Sequence, residues 1–330
     1  MTVADPRVLP IVAVNRATVD AIFAALGRAP VREITLAHGG LVNTVYRVTT
    51  SADESYALRL YADSDDRRAA DARLTREMRL LSWLARAAGD VPVPRLSVAD
   101  GSRTQLPTPY VVYPWIDGIT LNDCRRQYGA AALTSLAEPL GRLLARISAV
   151  GIGDDVMAPP LGEPTSTASA LGDADARLAS SPARDRLGSI VADAMRATLD
   201  AERAALLELD RHRSLVHGDF GGRNVIVRLT DEGTWDVGGI LDWEAATIAS
   251  PMWDVGSLFR YAPRYSADFR ASFAHGYRAG GGRLPDEWWR LSRLVDVTRV
   301  VRILSEEREL PSVFDDCRDI VAGLVDDCTV

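Results

Sequence analysis

The sequence contains no lysine, and all 38 of its basic residues are arginine. A Walker-type phosphate loop needs a lysine and a Schiff-base enzyme needs an amine, so both chemistries are excluded. Cysteine is almost as scarce. Cys124, Cys317 and Cys328 are far apart, odd in number and without a C-x-x-C spacing, which argues against a disulfide frame or a zinc site. Long apolar runs are missing too: the stretch from Val8 to Val14 is short, broken by Pro10, and reads as neither a signal peptide nor a membrane span. Positive charge is not in surplus. The net charge of −7 argues against a nucleic-acid or anionic-membrane partner, since both reward clustered cations. No G-x-S-x-G elbow is present, which removes the commonest hydrolase signature. The protein is expected to be cytoplasmic, with no nucleic-acid and no membrane partner.

What is present reads as an ordinary globular composition on a chain of 330 residues, long enough for two packed lobes. Residues 15–28 predict an amphipathic helix capped at Thr18. Three runs rich in β-branched and aromatic residues follow, Val31–Ala37, Thr44–Thr49 and Ser55–Leu60, the first two separated by Gly39 and Gly40. Residues 69–88 predict a helix with Leu74, Met78, Leu81 and Leu84 on one face. Glu77 lies within that apolar stripe, where a carboxylate needs a buried cation. Tyr110–Tyr113 reads as a further strand, and residues 114–118 as a crossing segment. Beyond it, Leu133–Ile147 reads as one helix, 155–185 as a Pro/Ala/Ser/Gly-rich connection, and 186–209 as another helix. A strand-like pair lies around 225–242, after which helices run to the end. Pro285, Asp286 and Glu287 mark one helix start.

The densest chemistry lies in His217-Gly218-Asp219-Phe220-Gly221-Gly222-Arg223-Asn224, flanked on both sides by apolar runs. Phosphoryl transfer needs little covalent help from a protein. It needs an oriented nucleophile and metal ions that absorb charge on the phosphates. An aspartate beside the attacking hydroxyl does the first. An amide oxygen and a second carboxylate do the second, because Mg²⁺ prefers hard oxygen ligands. The second carboxylate is Asp242, in Leu241-Asp242-Trp243-Glu244 at the end of a short apolar run. A lone His-Gly-Asp would read as a polar turn; the ordered set D-x-x-x-x-N followed by a metal aspartate reads as a kinase site.

These residues resemble the aminoglycoside phosphotransferase family, whose relatives include choline-, homoserine- and fructosamine-kinase-like enzymes. The resemblance spans about residues 30–265. It implies an α+β, bilobal protein-kinase-like fold: a small antiparallel-sheet N-lobe over 1–113, a hinge at 114–118 and a larger, mainly helical C-lobe over 119–330. It implies an enzyme that uses ATP or GTP and Mg²⁺ to phosphorylate a hydroxyl of a small molecule. Asp219 would be the catalytic base or orienting residue, Asn224 and Asp242 the metal ligands, and His217 and Asp254 structural braces. Gly39, Gly40 and Asn43 fall in the phosphate-covering loop. Arg59 takes the place of the phosphate-gripping lysine and pairs with Glu77. Tyr113, Pro114 and Ile116 form the nucleotide hinge. Many relatives carry Leu-His on the helix after the hinge, where this chain matches with Ala145-Arg146-Ile147-Ser148 and has no histidine, a departure that touches none of the proposed metal or base positions. Glu244, Tyr261, Asp286 and Trp288 are candidates for substrate binding, with Asp296 a further acid that a cationic substrate would want. An aminoglycoside-like antibiotic is the expected acceptor, and a metabolic kinase for homoserine, choline or an amino sugar the rival. A nucleotide-binding pseudokinase would have lost Asp219, Asn224 or Asp242, and all three are present.

Overall fold

The computed structural model describes residues 10–37, 43–62, 67–151, 161, 164–307 and 310–329. The chain divides into two compact units, the first built from the residues up to Gly118 together with Gly238–Glu244, the second from most of the remainder.

The first unit is an antiparallel sheet with two helices. Helix α1 (Arg16–Ala25) leads into β1 (Val31–Leu36), β2 (Thr44–Thr50) and β3 (Ser55–Leu60), then α2 (Arg67–Ala87), β4 (Val98–Asp100) and β5 (Tyr110–Pro114). The sheet order is β1-β2-β3-β5-β4, with every neighbouring pair antiparallel. Val19, Ile22 and Phe23 of α1 are buried against Val48, Tyr56, Leu58, Leu60 and Val112 of the sheet. The strands alternate inward and outward side chains, so β3 sends Leu58 and Leu60 to this face and Arg59 to the other. The cap of α1 is Asn15, not Thr18: its Oδ1 accepts the Thr18 N–H at 2.8 Å.

The second unit is mainly helical, and it differs from the sequence expectation in several places, two short strands at Ser214–Val216 and Thr247–Ala249 among them. The segment expected as one helix over Leu133–Ile147 is two, α3 (Leu121–Ser135) and α4 (Ala137–Ala149), preceded by the short strand β6 (Ile119–Thr120). Pro139 explains the break, because it has no N–H to give Ser135 and fits only the first turn of a new helix. The low-pattern connection over 155–185 contains α5 (Thr167–Ala179) and α6 (Pro182–Leu187), capped by the Ser166 and Ser181 side chains and with Pro182 in the first turn. The helix expected over 186–209 is divided into α7 (Ser189–Ala201) and α8 (Arg203–Glu208).

Then come β7 (Ser214–Val216), β8 (Val225–Leu229), β9 (Trp235–Ile240), β10 (Thr247–Ala249), α9 (Met252–Leu258), α10 (Ala267–Ala279), α11 (Trp288–Leu304) and α12 (Pro311–Thr329). β7 pairs with β10, and β8 lies between β6 and β9. These short strands fix the loops that carry the polar residues. Among the described residues, no helix is long and apolar enough to cross a membrane.

Candidate active site

The loop that leaves β7 at His217 is held from its backbone. Asp254, in the first turn of α9 and 2% exposed, accepts the His217 N–H through Oδ2 at 2.6 Å and the Gly218 N–H through Oδ1 at 2.9 Å. Burial pushes the Asp254 carboxyl above the usual carboxylate range, against the pull of His217 and of the two N–H groups. The fully buried His217 accepts the Asp219 N–H at its Nδ1, 3.2 Å away. That contact commits the ring to the shape of the loop. Gly218 is required twice over. Its φ is +79°, and a Cβ there would stand 2.2 Å from the Ala245 carbonyl oxygen.

Asp219 is the centre of this half. Asn224 donates Nδ2–H to the Asp219 carbonyl oxygen at 2.9 Å and to its Oδ2 at 3.1 Å. That commitment of the amide nitrogen leaves Asn224 Oδ1 as an oxygen donor for a cation. Two guanidiniums share the Asp219 carboxylate: Arg223 lies 3.6 Å from Oδ2 and Arg299 3.4 Å from Oδ1. Burial alone would raise the Asp219 carboxyl, but the charges of Arg299, Arg223 and Arg260 outweigh it and hold the group below its ordinary range.

Arg299 and the neighbouring Arg260–Asp296 pair did not emerge from motif reading. Arg260 donates Nε–H and Nη2–H to the two Asp296 oxygens at 2.8 and 2.7 Å, and that bidentate pair is buried. Asp296 is therefore matched to a cation of the protein itself. Their signal was compositional. Helix α11 buries residues all round, so charged residues at 296 and 299 on one of its faces had to have partners.

In the first unit, Arg59 is the focus. Its Nη1 lies 3.1 Å from Glu77 Oε1, and its Nη2 lies 2.7 Å from Asp242 Oδ1 and 3.4 Å from Glu244 Oε2. Glu77 is 2% exposed and also accepts the Tyr61 hydroxyl at 2.5 Å and the Tyr113 hydroxyl at 2.9 Å. Burial, then the Glu77 charge, pushes both phenols well above their usual range, so they remain donors. Asp242 has a φ of +64°, a conformation that non-glycine residues rarely take and that recurs at functional sites. Burial and the Asp242 charge together raise the Glu244 carboxyl.

The other candidate residues are placed as follows. Gly39 and Gly40 lie outside the described residues, and Asn43 is buried where the chain enters β2. Tyr113 turns its side chain to Glu77, so it can offer a nucleotide only its backbone. Pro114 ends β5, and Ile116 packs so closely over Gly239 that a Cβ there would lie 2.7 Å from Ile116 Cδ1. The four substrate candidates are not gathered. Glu244 belongs to the Arg59 group, and Asp286 is exposed. Trp288 is packed among Phe259, Phe273 and Trp289 as core, and Tyr261 gives its hydroxyl to Asp316 at 3.2 Å with Arg264 stacked on its ring.

A divalent cation fits the donor chemistry. In the Arg59 group, three carboxylates, Glu77, Asp242 and Glu244, face one guanidinium, with the charge of Arg73 also acting on Glu244. Asp242 Oδ2 has no hydrogen-bond partner among the described residues. No cluster of three or more His, Cys, Asp or Glu side chains suited to a metal occurs among the described residues. Mg²⁺ tolerates that, because it commonly takes one or two protein oxygens and fills its shell with phosphate and water.

A sequence profile described as the phosphotransferase enzyme family matches residues 33–289. A search of curated proteins by sequence finds no match. Among solved structures, the chain is similar to the macrolide 2′-phosphotransferase MphH from Brachybacterium faecium, with a TM-score of 0.64, 22% identity, and 94% of this chain and 97% of that one covered. It is similar to wild-type aminoglycoside 2′-phosphotransferase-IIIa in its GDP complex, with a TM-score of 0.69, 18% identity, and 95% and 99% covered. A third similar structure is a GDP and kanamycin complex of an APH(2″) enzyme, with a TM-score of 0.66, 18% identity, and 96% and 99% covered.

Proposed function

The chain belongs to the phosphotransferase enzyme family, and from that premise we propose that it transfers the γ-phosphate of ATP or GTP to a hydroxyl of a small molecule, with Mg²⁺ as the metal. The observation that carries this reading is the loop in which Asp254 fixes the backbone of His217 and Gly218 while Asn224 fixes the carboxylate of Asp219.

Asp219 accepts the hydroxyl of the acceptor and aims its oxygen at the phosphorus. Its depressed pKa makes it a weak base. That suits a loose transition state, in which the proton leaves late and orientation matters more than basicity. Asn224 Oδ1 and Asp242 Oδ2 are the oxygens that would hold Mg²⁺, which when bound neutralises charge on the phosphates. Arg59 replaces the usual lysine. Its Nε–H is buried and has no acceptor among the described residues, a donor that a phosphate oxygen would satisfy. The Glu77 carboxylate, clamped by Tyr61 and Tyr113, holds that guanidinium in place. The GDP found in the similar structures supports a nucleotide as co-substrate.

Two acceptor classes are consistent with the family. The kanamycin bound in one similar structure and the macrolide in the name of another favour an antibiotic. The arginines at Asp219 favour a metabolic hydroxyl compound without a large positive charge.

The test is Asp219→Asn. With a panel of hydroxylated antibiotics and metabolites read out by nucleoside diphosphate release, turnover should fall by about 10²–10⁴-fold. Nucleotide affinity, measured by calorimetry, should be retained. Unchanged turnover would remove Asp219 from the mechanism.

A further inference from the structure

The two oxygens of the Asp219 carboxylate are engaged by different parts of the chain. Oδ2 is held by Asn224, the proposed metal ligand, and is approached by Arg223 from the same loop. Oδ1 is approached by Arg299 from α11, a helix far along the chain. On our reading of the loop, Oδ2 belongs to the phosphoryl side and Oδ1 to the acceptor side.

Arg299 is under-compensated there. Its side chain is 21% exposed, and among the described residues Asp219 is its one carboxylate within ion-pair distance, a carboxylate that Arg223 also uses. Asp296, one turn back on the same helix, is taken in bidentate fashion by Arg260 and gives Arg299 no hydrogen bond. Burial, helped by the like charge of Arg260, pulls the Arg299 guanidinium below its ordinary range despite the attraction of Asp219 and Asp296. A polycationic acceptor approaching Asp219 would meet Arg299 and Arg223 as like charges. An acceptor bearing anionic oxygen would meet a planar guanidinium with donors to spare.

The geometry points to Arg299 as the residue that binds an anionic group, carboxylate or phosphate ester, on the acceptor. The enzyme then selects hydroxylated acids over hydroxylated amines. This rests on the phosphotransfer reading, and it names the acceptor class of that same site.

The experiment is a charge-matched acceptor panel: glucose, glucosamine, glucuronate and glucose 6-phosphate, homoserine and its methyl ester, and kanamycin. Each is assayed by nucleoside diphosphate release and by mass spectrometry of the product. In the wild type, the acid-bearing members should be preferred over their neutral or cationic counterparts by about tenfold or more in kcat/KM, the scale of one charge-assisted hydrogen bond. Glucuronate and glucose 6-phosphate separate the two anion types. Arg299→Met should raise the acceptor KM for acids by a similar factor, with the nucleotide KM unmoved, and Arg299→Lys should restore part of the preference. Preferred turnover of kanamycin or glucosamine would overturn the inference while leaving phosphotransfer intact. So would an Arg299→Met defect that is equal for every charge class or falls on the nucleotide KM. A wild-type enzyme that phosphorylates no member of any class would overturn the parent reading, and this inference with it.

Discussion

At Asp254 the fold keeps a carboxylate where burial disfavours its charge, and the reason is the pair of N–H groups it must accept. Its pKa is raised in the folded protein. A carboxyl whose folded pKa exceeds its unfolded one contributes most to stability below the unfolded value, and that contribution is lost as pH rises through the folded value. Lowering the pH therefore favours the fold through this group while weakening the brace, since a protonated carboxyl is a poorer acceptor for two amides. Asp219 has the opposite shift and remains ionised over that range. The kcat profile should therefore show an acid limb above the ordinary carboxylate range, reached while near-UV circular dichroism is still native. Simultaneous loss of activity and tertiary signal would refute this assignment. Glu244, also raised, is separated from Asp254 by Glu244→Gln, which should leave the limb in place. Most of these residues were legible in the sequence because chemistry restricts both type and order: an aspartate, an amide and a second aspartate within one short stretch. The Glu77 partnership was legible because a carboxylate in an apolar stripe must have a cation. Arg299 was not, because no local pattern links a residue of α11 to a loop so far upstream in sequence.

The elements that sequence reading missed share a physical cause. Alanine-rich segments such as α5 have helix propensity but little hydrophobic contrast, so periodicity is faint and the serine caps carry the signal. Helix boundaries at Leu136 and Glu202 were hidden because apolar periodicity continues across them. Four of the five strands of the first unit were plain, since runs of β-branched and aromatic residues mark them, but the three-residue β4 was too short to show. Packing between elements was invisible to the sequence, and one contact has consequences for the site. Gly256 lies on α9, which carries Asp254, and a Cβ there would stand 2.1 Å from the Ser292 carbonyl oxygen of α11, the helix of Asp296 and Arg299. Only glycine lets those two backbones approach so closely. Gly256→Ala should destabilise the protein by about 1–3 kcal/mol through overpacking, read from urea unfolding, and should reduce turnover more than nucleotide affinity. A variant with wild-type stability and turnover would show that α9 and α11 can part without disturbing the loop.

A chain that carries 38 arginines and no lysine makes a prediction about the whole molecule. Lysine ammonium groups titrate and react with acylating reagents, whereas guanidinium groups remain protonated throughout the accessible pH range and are left untouched by them. Every cation assigned a role, from Arg59 on the phosphate to Arg223 and Arg299 at Asp219, is a guanidinium. Treatment with an N-hydroxysuccinimide ester should therefore leave turnover unchanged, and a nucleotide analogue built to acylate a catalytic lysine should not label the protein. Phenylglyoxal, which attacks guanidinium groups, should inactivate it. Arg59 is 8% exposed and is enclosed by Glu77, Asp242 and Glu244, so it should be modified slowly. Arg223, half exposed beside Asp219, should be modified early. Mg²⁺ with nucleotide should slow the inactivation. Peptide mapping should then find the protected positions at Arg223 and Arg59, not among the surface arginines that pair with neighbours one helical turn away, such as Arg142 with Glu138. Inactivation by the acylating ester, or phenylglyoxal inactivation that nucleotide does not slow, would break the assignment of arginine to the lysine's place. The remaining phosphate contacts would then have to come from backbone N–H groups, as a glycine-rich loop can supply without any side-chain charge.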